Sequence, residues 1–223
     1  NGMNMLFGVP LLSLVIWLPI CAGILVLAAG GDHNARLARW LAFAGAVAGL
    51  LVAIPLYTQF EPIMSGMQFV ESRMWIERFN IHYHLGVDGI AVPLILLNCF
   101  TTPLVVLAGW KVIRERVSQY MGAFLIMSGI VNGVFSSLDA MLFYTFWEAS
   151  LIPMFLIIGI WGGPDRVYAA IKFFLYTLLG SLLMLVAFIY LYKVSGGSFA
   201  ILDFHKLPLP LAPQILIFVA FLL

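Results

Sequence analysis

Charged side chains are scarce in this sequence. Asp, Glu, Lys and Arg together make up 9% of its 223 residues, whereas soluble domains carry about 25%. With 63% hydrophobic residues, the chain lacks the polar surface of a soluble body and is too apolar for a disordered one. The formal net charge of +1 gives no excess of positive charge for binding the phosphates of a nucleic acid. The composition therefore predicts a protein of the lipid bilayer, in contact with membrane lipids.

Cysteines and cofactor motifs are also scarce. The two cysteines, Cys21 and Cys99, both fall in apolar stretches, so a disulfide framework is not expected. The sequence contains no GxGxxG, Walker A, CxxC, HExxH or GxSxG motif. His82 and His84 would share one face of a strand, but no nearby Cys or carboxylate completes a metal site. We therefore expect no cofactor and no metal on this chain.

Long apolar runs locate the membrane spans, because about 20 such residues cross the hydrocarbon core as a helix. In lipid the backbone must pair internally, and these runs lack the alternation of barrel strands. The fold class predicted is an all-α polytopic membrane protein, a single membrane domain over residues 1–223. The predicted spans are 5–29, 40–57, 90–110, 121–138, 140–161 and 167–192, with a seventh from 214 to 223. Because the seventh is short and residue 1 is not Met, we expect a piece of a longer protein.

The two longer connections differ in pattern. Residues 61–84 alternate polar and apolar side chains at both ends, which predicts a short β-hairpin between helices two and three. Residues 193–213 are rich in Ser, Gly and Pro, which predicts an irregular loop. Lys and Arg are more numerous in the loops after spans one, three and five. The bias predicts that those loops are cytoplasmic and that the N-terminus lies outside the cytoplasm.

Glu148 is the residue with the strongest functional signal. It lies about nine residues into the fifth span, roughly 12 Å from its end and near the midplane of the bilayer. A charge at that depth costs about 3 kcal/mol, and a carboxyl group reduces this cost by binding a proton. The functional interpretation is a group that loads and releases protons. The alternative is a structural glutamate that pairs with a neighbouring helix to fix packing.

Polar features surround Glu148 on its own helix. Tyr144 and Thr145 lie one turn earlier on the same face. Pro153 has no N–H to donate to the carbonyl of Ala149. Together these features predict a hydrated pocket.

Lys172 is a second ionisable residue inside a span. Tyr168 and Tyr176 lie four residues to either side and form one polar stripe with it. Lys172 could act as a second proton-handling or charge-tuning group. The alternative is that its long side chain reaches the cytoplasmic headgroups.

Three further features predict local structure. Asp139 and Asp88 precede spans and are expected to cap them. Gly45 and Gly49 form a GxxxG pair, which predicts close packing of helices within the chain, with dimerisation of separate chains as the alternative.

Three segments carry a resemblance to a known family. They are FYTFWEASLIPM at 143–154, HLGVDGI at 84–90 and AAIKFFLYT at 169–177. With these segments in this order, the chain resembles the M subunit family of bacterial NADH:quinone oxidoreductase, or respiratory complex I, the counterpart of subunit 4 of the mitochondrial enzyme. The resemblance covers essentially the whole chain, but only about the first half of a family member.

The resemblance implies a fold of fourteen core helices with two inverted five-helix repeats. It implies that Glu148 is a principal proton-path residue paired with a lysine of the seventh helix, and that Lys172 lies in a family motif. That lysine is not reached before Leu223. FMN, iron–sulfur clusters and quinone are expected on partner subunits, antiporter-like L and N subunits are expected as neighbours, and the location is expected to be the bacterial inner membrane. Alternatives are a subunit of a multisubunit cation/proton antiporter or membrane-bound hydrogenase, and a structural membrane scaffold.

Overall fold

Helices make up most of the chain. The computed structural model describes residues 5, 6 and 9–223. Six helices within that part are long and apolar enough to cross a membrane, which confirms the predicted fold class. They are α1 Leu11–Ala28, α2 Ala35–Thr58, α3 Ala91–Val112, α4 Val117–Ser136, α5 Ala140–Trp161 and α6 Arg166–Val194.

Shorter elements connect and follow these helices. The strands are β1 Met5–Leu6, β2 Val9–Pro10, β3 Gln68–Ile76 and β4 Ile81–Val87, and the short helices are α7 Ile201–Phe204 and α8 Leu211–Leu222. Strands β3 and β4 form a two-stranded sheet, so the predicted hairpin between the second and third long helices is confirmed. Asn80, in the turn between them, adopts the left-handed conformation with φ of 53°, which Asn tolerates better than most residues.

The predicted first span begins too early. Met5–Leu6 pairs antiparallel with Val9–Pro10, and α1 starts only at Leu11. Pro10 explains the boundary, because a proline favours extended backbone in the residue before it. Residues 7 and 8 also fall within the predicted span, but lie outside the described residues.

The predicted irregular loop and the seventh span also need correction. The segment 193–213 contains the short helix α7. Helix α8 begins at Leu211, directly after Pro210, rather than at residue 214. Pro213 is compatible with this earlier start because N–H groups of the first helical turn have no partner in the helix.

The chain divides into two compact units. The first comprises the described residues up to Glu71 together with Gly86–Ser136, and the second comprises Ser72–Leu85 and Ser137–Leu223.

Close backbone approach holds the helices of the first unit together. A Cβ added to Gly129 of α4 would lie 2.5 Å from the carbonyl oxygen of Ile16 in α1. On α2, a Cβ added to Gly45 would lie 2.7 Å from Cβ of Ala22 in α1. Glycine is required at such contacts because any side chain would separate the helices. The Gly45 contact supports the interpretation of the GxxxG pair as packing within the chain.

A buried polar network also links α1, α3 and α4. Asn132 is fully buried, and its Nδ2 donates to the carbonyl of Val15 at 3.2 Å. Its Oδ1 accepts from Nδ2 of Asn98 at 2.9 Å. Oγ1 of Thr102 donates to Oγ of Ser128 at 2.8 Å. The apolar helices of this unit therefore contain a polar layer whose groups satisfy one another.

In the second unit, aromatic pairs fix how α5 and α6 lie against each other. The rings of Phe155 and Phe174 are 5.3 Å apart between centroids, and those of Phe143 and Phe188 are 6.3 Å apart. As the residue number rises along α5 it falls along α6, so the two helices are antiparallel.

The core of the second unit draws on β4, α5, α6 and the segment after α6. Ile81 of β4, Ala140 of α5, Phe188 and Leu191 of α6 and Phe199 are buried together. This core joins the hairpin and the segment after α6 to the first turn of α5, the helix that carries Glu148.

Candidate functional site around Glu148

Glu148 lies in the middle of α5 with part of its carboxyl group covered. The residue is half-buried, and its Oε1 is buried without a hydrogen-bond partner among residues 5, 6 and 9–223. A buried carboxylate oxygen with no donor is costly in free energy. A proton, a water molecule or a basic group at this oxygen would remove that cost.

The polar residues predicted near Glu148 do not all face it. Tyr144 is half-buried, one turn earlier on the same helix face. Thr145 is exposed, and its Oγ1 donates to the carbonyl of Met141 at 2.8 Å. Tyr144 therefore remains a candidate neighbour of the carboxyl group, whereas the hydroxyl of Thr145 is already bonded within its own helix.

Pro153 is buried inside α5. Its ring nitrogen cannot donate to the carbonyl of Ala149, the residue next to Glu148. The helix thus offers an acceptor beside Glu148 that does not receive its usual backbone bond.

Lys172 lies away from Glu148. The ring pairs between α5 and α6 place Lys172 opposite the turn around Ile158, about ten residues and roughly 15 Å along the axis from Glu148. Lys172 is exposed and its Nζ lies 5.7 Å from the ring centroid of Tyr168. Tyr176 is 72% exposed on the same face. The predicted stripe is present, but Lys172 does not supply the missing partner of Oε1.

Helix α8 approaches the level of Glu148. A Cβ added to Gly180 of α6 would lie 2.9 Å from the carbonyl oxygen of Leu223, the residue directly after α8. The aromatic pairs that align α5 with α6 place Gly180 opposite the turn that contains Glu148. The glycine allows α8 to lie close to α6 at this level.

Asp139 caps α5, as predicted, and has a further contact that the sequence did not indicate. Its Oδ1 accepts from the backbone N–H groups of Met141 at 3.0 Å and Leu142 at 3.2 Å. Its Oδ2 accepts from the backbone N–H of His82 in β4 at 3.1 Å. The side chain is 2% exposed, and burial raises the pKa of Asp139 whereas the three backbone bonds and His82 lower it.

The two histidines of β4 lie near this carboxylate. Burial lowers the pKa of His84 and the neighbouring His82 lowers it further, whereas Asp139 raises it. Across residues 5, 6 and 9–223, no group of three or more His, Cys, Asp and Glu side chains is arranged to hold a metal ion.

Two family models match adjacent parts of the chain. Residues 46–136 match the family described as NADH-ubiquinone oxidoreductase chain 4, amino terminus. Residues 137–223, which include Glu148, match the family described as NADH:quinone oxidoreductase/Mrp antiporter, TM. The boundary between them falls just before Asp139.

Curated relatives and a solved structure agree with these matches. The chain is 49% identical over 191 residues to NADH-quinone oxidoreductase subunit M of Rhodobacter capsulatus, covering 84% of this chain and 37% of that protein. It is 38% identical over 177 residues to F(420)H(2) dehydrogenase subunit M of Methanosarcina mazei, covering 79% and 35%. The chain thus spans little more than a third of the length of these relatives.

The structural likeness points in the same direction. A chain of respiratory complex I from Thermus thermophilus with bound NADH superposes with a TM-score of 0.80 at 28% identity, covering 94% of this chain and 42% of that one. The chain therefore belongs to the family of antiporter-like membrane subunits represented by subunit M, or chain 4, of NADH:quinone oxidoreductase.

Proposed function

We propose that this chain is the N-terminal part of a proton-translocating, antiporter-like subunit of NADH:quinone oxidoreductase, in which Glu148 binds and releases the transported proton. The observation that carries the proposal is the buried Oε1 of Glu148, which has no hydrogen-bond partner in the part of the chain that the structure describes. A carboxyl group in this position can be satisfied by a proton in one state of a cycle and by a base or water in another.

The surrounding residues suit such a cycle. The carbonyl of Ala149, which Pro153 cannot satisfy, is an acceptor that could hold a water molecule beside the carboxyl group. Tyr144 adds a hydroxyl one turn away on the same face. These groups would support the transfer of a proton to and from Glu148 without any redox centre on this chain.

A basic partner for Glu148 is also part of the proposal. The family resemblance implies a lysine on the seventh helix, and the approach of α8 to α6 at the level of Glu148 supports that placement. Lys172 would act at longer range. At roughly 15 Å along the helix axis, Lys172 would not pair directly with the carboxyl group of Glu148.

The activity of the whole assembly lies on other chains in this proposal. FMN, iron–sulfur clusters and quinone would be bound by partner subunits, and antiporter-like L and N subunits would be membrane neighbours. The subunit would lie in a bacterial inner membrane with its N-terminus outside the cytoplasm. Electron transfer from NADH to quinone would then drive the changes that load and unload Glu148.

The test is to make Glu148→Gln in the complete subunit and to reconstitute the assembled complex in liposomes. We expect normal assembly and at least a tenfold loss of proton pumping, because the amide cannot exchange a proton. Glu77→Gln is the matched control, since Glu77 is exposed in the hairpin turn. Normal pumping by an assembled Glu148→Gln complex would overturn the proposal.

A cation/proton antiporter subunit is the second candidate, because the family model that contains Glu148 also covers Mrp antiporters. The two candidates differ in their partners. Co-purification with flavin and iron–sulfur subunits supports the oxidoreductase, whereas sodium-dependent proton exchange without them supports the antiporter. A carboxyl infrared band of Glu148 that never changes with pH or turnover would instead support a scaffold.

A further inference from the structure

The carboxylate of Asp139 joins two separate elements. One oxygen accepts from the first turn of α5, at Met141 and Leu142. The other accepts from the backbone of His82 in β4. An N-cap needs only the first of these contacts, so the second is not explained by capping.

Backbone hydrogen bonds hold the residues around Asp139 from both sides. The N–H of Leu138 donates to the carbonyl of His84 at 2.8 Å, and the N–H of Ala140 donates to the carbonyl of Phe199 at 2.8 Å. The N–H of Ile201 donates back to the carbonyl of Leu138 at 2.9 Å. The start of α5 is therefore fixed between β4 and the segment 199–201.

The helix between Asp139 and Glu148 is suited to transmit this placement. Residues 140–148 contain no Gly and no Pro, so the backbone hydrogen bonds of α5 are not interrupted by proline in this stretch. The distance along the axis is roughly 14 Å. A shift or rotation at the cap therefore moves Glu148, and functional geometry is sensitive to displacements of about 0.5 Å.

The charged neighbours of Asp139 are few in the described part of the second unit. On β4, His82 lowers the pKa of Asp139, and Asp139 in turn raises the pKa of His84. The facing segment 199–201 carries no titratable side chain. Asp203, just beyond it, accepts from Oγ of Ser198 at 2.7 Å.

We propose that Asp139 is a positioning residue for proton transfer, which sets the axial position and rotation of Glu148 by fixing α5 to β4. This inference rests on the proposed function of Glu148. The hairpin thereby becomes part of the proton-transfer machinery, because its backbone is bonded to the carboxylate that positions the helix.

The test uses Asp139→Asn and Asp139→Ser in the complete subunit within its assembled complex. Asn and Ser both cap helices well, but Asn presents an N–H₂ group to the N–H of His82, and Ser is too short to bond both elements. Asp88→Asn is the matched control. Oδ1 of Asp88 accepts from the backbone N–H groups of Ile90 and Ala91, and both of these contacts lie in the turn at the start of α3, whose N-cap residue is Ile90.

The readouts are assembly, protons pumped per NADH oxidised, and the carboxyl infrared band that is missing in Glu148→Gln. We expect both Asp139 variants to assemble, to shift this band and to lower the pumping ratio at least threefold, while Asp88→Asn matches wild type. An unchanged band and ratio in either assembled variant would overturn the inference, as would an equal loss in Asp88→Asn. Failure of both variants to assemble would also overturn it, by assigning Asp139 a folding role.

The outcome can be separated from that of the proposed function. If Glu148→Gln pumps normally, the proposed function fails whatever Asp139 does. If Glu148→Gln abolishes pumping but the Asp139 variants behave as wild type, only the positioning role fails.

Discussion

Phe155 of α5 packs against Phe174 of α6 with ring centroids 5.3 Å apart. This pair lies between the level of Glu148 and that of Lys172, and it fixes how far apart the two ionisable residues lie. The two side chains share a pair of packed helices, yet they are separated by roughly 15 Å along the axis. Lys172 and Glu148 therefore do not form a direct ion pair.

The separation predicts a graded effect for Lys172→Gln. Lys172 is exposed and lies roughly 15 Å along the helix axis from Glu148. We therefore expect proton pumping by the complete complex to fall less than about fivefold, far less than in Glu148→Gln. The measurement is the pumping rate against pH for both variants. A loss in Lys172→Gln as large as that in Glu148→Gln would contradict the register of α5 and α6.

The contact between α1 and α4 predicts a strong penalty for a side chain at Gly129. The Cβ of Gly129→Val would lie 2.5 Å from the carbonyl oxygen of Ile16, so the helices must separate. We expect a loss of about 1–3 kcal/mol of stability, measured by unfolding in detergent. Gly159→Ala is the helical control, because its Cβ would meet Cβ of Ala170 at an ordinary 3.6 Å. Equal stability of the two variants would contradict this packing.

The polar network of the first unit predicts that Asn132→Leu is destabilising. Leucine removes the donor to the carbonyl of Val15 and the acceptor for Asn98. We expect a loss of roughly 1–2 kcal/mol, because hydrogen bonds between helices in membranes have been worth up to about 1.7 kcal/mol each. Thr101→Val is the control, since the exposed hydroxyl of Thr101 donates to the carbonyl of Leu97 within its own helix. A neutral Asn132→Leu would show that the network contributes little.

His84 predicts a dependence of the hairpin on pH. Its pKa is lowered, mainly by burial, so the folded state favours the neutral ring. Stability from this source is fully present above the unfolded pKa of about 6.5 and is lost as the pH falls from there through the lower folded pKa. We therefore expect corrected amide hydrogen exchange of residues 81–87 to accelerate between pH 7.5 and 5.5.

His84→Gln should weaken this pH dependence, whereas His205→Gln, at an exposed position, should not. The difference between wild type and His84→Gln isolates the histidine from Asp139, whose pKa is raised by burial. An unchanged pH profile in His84→Gln would assign the effect to another group.

Much of the architecture could be predicted from local patterns. The long helices follow from apolar runs, because hydrocarbon requires the backbone to satisfy itself, and the hairpin follows from alternation in 61–84. The helix starts were less accurate. Pro10 and Pro210 determine where α1 and α8 begin but leave the hydropathy of each run unchanged, and α2 and α4 begin at Ala35 and Val117, several residues before the apolar runs that predicted them. The regular backbone hydrogen bonding of residues 199–201 was not predicted, because these residues bond to Leu138 and Ala140, which are distant in sequence.

The sequence by itself determined that this protein belongs in a membrane, that its spans are helical and that Glu148 is the charge that needs an explanation. These conclusions depend on composition and on spacing along one helix, which a linear chain already contains. Only the tertiary structure decided that Lys172 lies far from Glu148 and that Asp139 binds β4 as well as α5. Both depend on how separate elements pack against one another, and the positions of those contacts are not written in the pattern of either element alone.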